Sequence, residues 1–301
     1  MSDTVAEPAE LKDADAVLAY VRAHPDDVAL VTQGLSHNAE RPTTVASVVK
    51  IVHLAAYADA VRAGRAAPDE PVPVRLWNAY HLPETDGGAH DAALNRLRPG
   101  AHVTLDQLVS AMIEESDNAA ADLLRDRLGA DALDEIARTR VGTVNGEALR
   151  IYGGCTLPPD VCLRNYVEAG ERVRLTSVDY EQEVELVSTV SRVAPGVLHG
   201  VLGELRKDEL ASRHLEWPMR LPGADPGDRL IGAKTGAMPG VLSEAAYLVR
   251  PGAEPREMVL VLRRLAETTV RSGMRGYAPH SFLMRMAADP RFFASVRAAL
   301  E

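Results

Sequence analysis

Three short motifs stand in a fixed order along this 301-residue chain: Ser47-Val-Val-Lys50, Ser116-Asp117-Asn118 and Lys234-Thr235-Gly236. A hydroxyl, amines and an amide spread so widely make chemical sense only in a fold that brings them together. Cation usage sharpens the point. Of the 33 basic residues only four are lysine, at positions 12, 50, 207 and 234, and two of those lie in the motifs. Arginine stays protonated in proteins, whereas a desolvated lysine can lose its proton and accept one from a hydroxyl.

Local patterning places the motifs on elements. Residues 10–23 carry helical apolar spacing up to His24-Pro25, and Val28 to Thr32 reads as a strand. Val49, Val52, Ala55, Ala58 and Val61 repeat helically over 47–63, with Gly64 as a C-cap. Ser47 then occupies the first turn of a buried helix and Lys50 the same face one turn later. Backbone N–H groups at such a helix start favour developing negative charge.

Residues 65–103 are rich in Pro, Gly and Asp and read as an extended surface connection. Thr104-Leu-Asp-Gln107 forms a capping box opening a helix through Ile113, and Ser116-Asp117-Asn118 falls between it and a helix from Ala119 to Leu128 closed by Gly129. Strand-like runs follow at 229–237, 241–249 and 258–263, separated by Pro239-Gly240 and Pro251-Gly252 turns. A helical stretch from Pro279 to Leu300 is interrupted at Pro290. The pattern predicts a sheet completed by both ends of the chain.

A net charge of −10 without a basic run excludes nucleic acid and an anionic membrane surface as expected partners. The amino terminus shows no signal-like apolar segment and no stretch approaches a membrane span, so the expected location is cytoplasmic. Cys155 and Cys162 lack a usual zinc spacing and read as free thiols. The nine histidines show no tight ligand cluster and read as surface or core residues, so neither a metal nor a cofactor is expected. Ala233 before Lys234 breaks the glycine-lysine order that a phosphate-binding loop needs. The sequence does not indicate an oligomeric state.

The ordered Ser-x-x-Lys, Ser-Asp-Asn and Lys-Thr-Gly set resembles the class A β-lactamase and penicillin-binding-protein superfamily, over roughly residue 10 to the C-terminus. The resemblance implies an α/β (α+β) fold in which a five-stranded antiparallel sheet is flanked by helices and joined to an all-helical lobe. It implies a single domain over 1–301, with an α/β lobe at about 1–46 and 195–301, a helical lobe at about 47–194, and the site between them.

By the same resemblance Ser47 would be the nucleophile, Lys50 its proton acceptor or the centre of its hydrogen-bond network, and Ser116 a proton shuttle to the leaving group. Asn118 would bind Lys50 and the substrate amide. Lys234 would supply positive potential for a substrate carboxylate, and Thr235 a hydrogen bond. The backbone N–H groups of Ser47 and Ala237 would form the oxyanion hole, with Gly236 leaving room for substrate.

One departure bears on the reaction. The Glu-x-x-Leu-Asn string whose glutamate activates water in class A enzymes is missing, and Val161 falls where that glutamate belongs. Asp160 and Glu168 are the nearby acidic candidates for a substitute base. The expected activity is therefore a serine amide or ester hydrolase, or an acyltransferase, working through an acyl-enzyme on a small amide, ester or lactam. A true class A enzyme with a substitute base is the close alternative, and a non-catalytic binding domain that retains the fold is the second.

Overall fold

The computed structural model describes residues 5, 9–81, 86–129, 179–188, 192–221 and 229–301. Asp13 accepts a hydrogen bond from the Ala16 N–H and so starts α1 (Ala14–Ala23), one turn later than the apolar spacing alone suggests. After it come β1 (Val28–Thr32), β2 (Leu35–His37), β3 (Thr43–Thr44), a 3-10 turn Ala46–Val49 and α2 (Lys50–Arg62). Gly64, at φ 67°, lies just past the α2 end as a C-terminal glycine should. The chain continues through β4 (Pro71–Pro73), α3 (Val74–Ala79), α4 (Ala89–Leu97), β5 (His102–Thr104), α5 (Leu105–Glu114) and α6 (Asn118–Leu128).

Beyond residue 178 the described elements are α7 (Tyr180–Val187), β6 (Arg192–Val193), α8 (Pro195–Leu205), α9 (Glu209–Leu215), a 3-10 turn Trp217–Arg220, β7 (Leu230–Met238), β8 (Val241–Val249) and β9 (Arg256–Leu262). Three helices close the chain: α10 (Glu267–Arg275), α11 (Ala278–Ala288) and α12 (Pro290–Leu300). Asp289 caps α12 through the N–H groups of Arg291 and Phe292, which accounts for the interruption expected at Pro290.

The sheet has five antiparallel strands in the order β2-β1-β9-β8-β7. Strand alternation divides its side chains between two cores. Leu30, Leu248, Met258, Leu260 and Leu262 pack with α1, α11 and α12. Ala29, Ala245, Tyr247, Val259 and Val261 face the cluster formed by α2, α5, α6, α8 and α9. This is the α/β architecture expected, an antiparallel sheet with helices on both faces. α8 lies where the two parts meet, packing on α2 as well as on β1, β8 and β9.

The reading of 65–103 as an extended surface connection is corrected. β4 pairs with β5, and α3 and α4 lie between them. Val72, Val103, Trp77, His90 and Ala93 are buried. The Pro and Gly residues that suggested a loop are boundary residues instead: Pro73 precedes α3 and Gly88, at φ 88°, precedes α4. The apolar spacing of Ala89, Ala93, Leu94 and Leu97 is helical, and the punctuation at both ends conceals it.

Candidate active site

The 3-10 turn presents Ser47 half-buried at the entrance to α2, after Ala46 in a left-handed conformation at φ 47°. That turn packs against β7, the edge strand. A Cβ on Gly236 would stand 2.9 Å from the Ser47 nitrogen and 3.0 Å from that of Val48, so only glycine permits this approach. From β8, the Ser243 hydroxyl donates to the Val45 carbonyl at 2.7 Å and ties the turn to the sheet.

Lys50 is fully buried, and its Nζ lies among four oxygens of the described residues: Ser47 Oγ at 3.1 Å, Ser116 O at 2.5 Å, Ser116 Oγ at 3.1 Å and Asn118 Oδ1 at 2.7 Å. Two of these are carbonyl oxygens that only accept. A neutral amine satisfies both with its two hydrogens and turns its lone pair to a hydroxyl. Burial lowers the Lys50 pKa from 10.5 to about 8, opposed by the carboxylates of Asp117, Asp122 and Asp86. The neutral form is thus accessible near neutral pH.

Lys234 reaches the same group from β7. Its Nζ donates to Ser116 Oγ at 3.0 Å and to the Thr235 carbonyl at 2.8 Å. Burial, then the charge of Lys50, lowers its pKa well below the ordinary lysine value, while Glu244 opposes the shift. The Ser116 hydroxyl therefore joins two buried amines.

Alternation along β7 fixes where its edge groups point. The Ala233 carbonyl accepts from the Trp217 indole at 2.9 Å and the Thr235 carbonyl accepts from Lys234, so both are directed away from β8. Ala237 has the same parity, which puts its N–H on the unpaired edge.

Ser116 holds φ 68°, a left-handed conformation that turns both its carbonyl and its hydroxyl to Lys50. The next residue, Asp117, is the N-cap of α6: its Oδ1 accepts from the Ala119 N–H at 2.9 Å. Its Oδ2 accepts from Trp77 Nε1 at 2.6 Å and from His90 Nδ1 at 3.2 Å. Trp77 and His90 were not singled out in sequence, because both fall in the segment read as a surface connection. A tryptophan among prolines was the available signal, since a side chain of that size is usually buried.

Ser47, Lys50, Ser116, Asn118 and Lys234 come together, with Gly236 against Ser47 and Thr235 beside Lys234 on the same strand. Asp160, Val161, Glu168, Cys155 and Cys162 lie outside the described residues. Among the described residues no cluster of His, Cys, Asp or Glu is placed to hold a metal ion, and no described helix is long and apolar enough to cross a membrane.

The sequence matches the model of the beta-lactamase enzyme family over residues 16–269. The chain belongs to the beta-lactamase enzyme family. No curated protein matches it. Among solved structures it is similar to the beta-lactamase from Sphaerobacter thermophilus DSM 20745, at 22% identity and a TM-score of 0.60, covering 92% of this chain and 99% of that one. The beta-lactamase from Chitinophaga pinensis DSM 2588 is similar at 17% identity and a TM-score of 0.60, covering 92% and 99%. The class A beta-lactamase from Mycobacterium abscessus is similar at 16% identity and a TM-score of 0.56, covering 92% and 100%. At these identities the structures show a shared fold. Family membership makes this beta-lactamase-family protein a serine hydrolase in the broad sense.

Proposed function

We propose that this beta-lactamase-family protein cleaves a small amide, ester or lactam through an acyl-enzyme on Ser47, and passes the acyl group to water or to another acceptor. The observation that carries the reading is the oxygen shell of Lys50. Two carbonyls occupy its two hydrogens in the neutral state, and with Nζ 3.1 Å from each serine Oγ its one lone pair is free to accept from either hydroxyl in turn.

In the acylation step neutral Lys50 takes the Ser47 proton as Oγ bonds to the substrate carbonyl carbon. The N–H groups of Ser47 and Ala237 hold the oxygen as it becomes negative. Collapse breaks the bond to the leaving nitrogen or oxygen, which receives the proton from Lys50 by way of Ser116. Lys50 returns to its neutral state, and Ser47 carries the acyl group as an ester. A carboxylate on the substrate, near Lys234 and Thr235, offsets the cost of a buried ammonium at Lys234.

Resolution of the ester is the finer part of the proposal. With Val161 in place of the glutamate, either Asp160 or Glu168 activates water or a second substrate takes its place as the nucleophile that attacks the ester and releases Ser47, and acylation outpaces deacylation. Intact-protein mass spectrometry after mixing with a penicillin, a cephalosporin and a p-nitrophenyl ester tests this, with Ser47→Ala as control. A persistent adduct on the wild type alone supports the reading. Rapid β-lactam turnover without an adduct makes the protein a true β-lactamase with a substitute base. Neither adduct nor turnover on folded protein overturns the acyl-enzyme proposal in favour of a binding domain.

A further inference from the structure

Asp117 carries more than an N-cap requires. It is fully buried, and its two oxygens collect the Ala119 N–H, the Trp77 indole N–H and His90 Nδ1. An ionised carboxylate only accepts, so the hydrogen between it and His90 belongs to Nδ1. Among the described residues, those on either side of Asp117 supply every oxygen on Lys50 other than Ser47 Oγ. Asp117 is also the first of the carboxylates that favour the protonated state of Lys50.

We infer that His90 is a positioning residue for this site: by donating Nδ1–H to Asp117 it holds the Ser116–Asn118 turn, and with it the oxygen shell and charge of Lys50. The inference rests on the acyl-enzyme reading only for its kinetic consequences. His90 is itself well fixed. Its ring lies edge-on to Trp77 at 4.9 Å and stacked on His81 at 4.2 Å, and Nε2 meets Asn78 Oδ1 at 3.1 Å. Its backbone N–H donates to Asp86 Oδ2 at 2.9 Å. Among the described residues the titratable groups facing it are Asp117 from the α6 cap and His81 and Asp86 from the connection between α3 and α4.

Losing the Nδ1 donor has two effects. One of the two side-chain donors that orient Asp117 disappears, and the left-handed Ser116 conformation loses part of what holds it. More of the carboxylate field then falls on Lys50, which raises its proton affinity and reduces the neutral fraction that accepts the Ser47 proton. Asparagine at 90 places an amide N–H near the position of Nδ1, whereas leucine fills the space without a donor. Glutamine keeps the residue polar but extends its amide towards Asn78.

The test follows Lys50 directly. Because the chain has four lysines, ¹³Cε-lysine labelling gives a spectrum of four side chains, assigned with Lys50→Arg and Lys234→Arg. In His90→Leu, and in His90→Gln should leucine prevent folding, the Lys50 midpoint is expected to rise by roughly half a pH unit or more. Ser47 acylation by the same reagents should slow roughly 10- to 100-fold, with non-covalent Kd unchanged. His90→Asn should restore both. A wild-type Lys50 midpoint and acylation rate in His90→Leu or His90→Gln overturns the inference. So does His90→Asn being as impaired as His90→Leu, which reduces His90 to ring packing. If no reagent acylates the wild type, the acyl-enzyme reading fails while the Lys50 titration still decides the role of His90.

Discussion

Gly236 runs so close to Ser47 that a Cβ at 236 would meet the Ser47 nitrogen at 2.9 Å, the Val48 nitrogen at 3.0 Å and Ser243 Oγ at 2.5 Å. Two of those atoms are backbone and cannot rotate away. Gly236→Ala must therefore separate β7 from the turn, and the N–H groups of Ser47 and Ala237 with it. Overpacking of this kind costs about 1–3 kcal/mol. Displacement of a reacting geometry by an ångström costs on the order of 100-fold in rate. Thermal melting and the rate of Ser47 adduct formation check both, and a variant that acylates like wild type contradicts the functional importance of the close approach.

Lys50 links rate and stability to pH. Acylation should rise with pH through about 8 and then level off, as the buried amine loses its proton. Lys50→Arg keeps a cation that cannot deprotonate, and should lose roughly 10²- to 10⁴-fold together with that rising limb.

The same shift fixes a stability window. Burial lowers the folded-state value from 10.5 to about 8, so the unfolded chain binds the proton more tightly between those limits. Stability contributed at this position then increases as pH rises from about 8 to 10.5, and the full penalty, about 3 kcal/mol, is present below 8. The Tm difference between wild type and Lys50→Met should grow in favour of wild type across that window. A flat difference would mean that Lys50 titrates normally.

Much of this site was legible because its chemistry is written in short strings. The capping box at Thr104 and the strand around Lys234 follow local rules and formed within a residue of where the pattern put them. The helix expected from Ser47 begins at Lys50 instead, and Ser47 stands in the preceding 3-10 turn, where left-handed Ala46 and the bond from Ser243 hold the chain. The less legible parts depend on contacts distant in sequence. Trp77 and His90 lie in a stretch whose prolines and glycines bound short helices, and only the packing against α6 shows that they meet Asp117. Ser243 reads as one of two adjacent polar residues, with Glu244, in an otherwise largely apolar strand; its bond to Val45, 198 positions away, has no trace in the local pattern.

Ser243 accordingly supplies a prediction outside the motifs. Its buried hydroxyl donates to the Val45 carbonyl at 2.7 Å, immediately before the left-handed Ala46 and Ser47. Ser243→Ala removes that donor and leaves the carbonyl with the Val48 N–H at 3.2 Å, at a cost of about 0.5–1.5 kcal/mol. Because the lost bond fixes the turn rather than the amines, Tm and acylation rate should fall while the pH midpoint of acylation stays near that of wild type. Ser243→Thr, which keeps the hydroxyl, should recover most of the rate. A shifted midpoint in Ser243→Ala would place Ser243 in the proton pathway instead.

Ser116 separates proton delivery from nucleophilic attack. Its hydroxyl bonds to Lys50 at 3.1 Å and to Lys234 at 3.0 Å, so it is the described group joining the two amines on the leaving-group path proposed above. An amide nitrogen must be protonated to leave, whereas p-nitrophenolate departs as a stable anion. Ser116→Ala should thus slow cleavage of an amide or lactam by roughly 10²- to 10⁴-fold, the range for loss of a positioned proton donor. The activated ester should be affected far less. Single-turnover rates with matched acyl groups on the two leaving groups measure the difference. Equal losses on both would assign Ser116 to activation of Ser47, and its bond to Lys234 would then be structural.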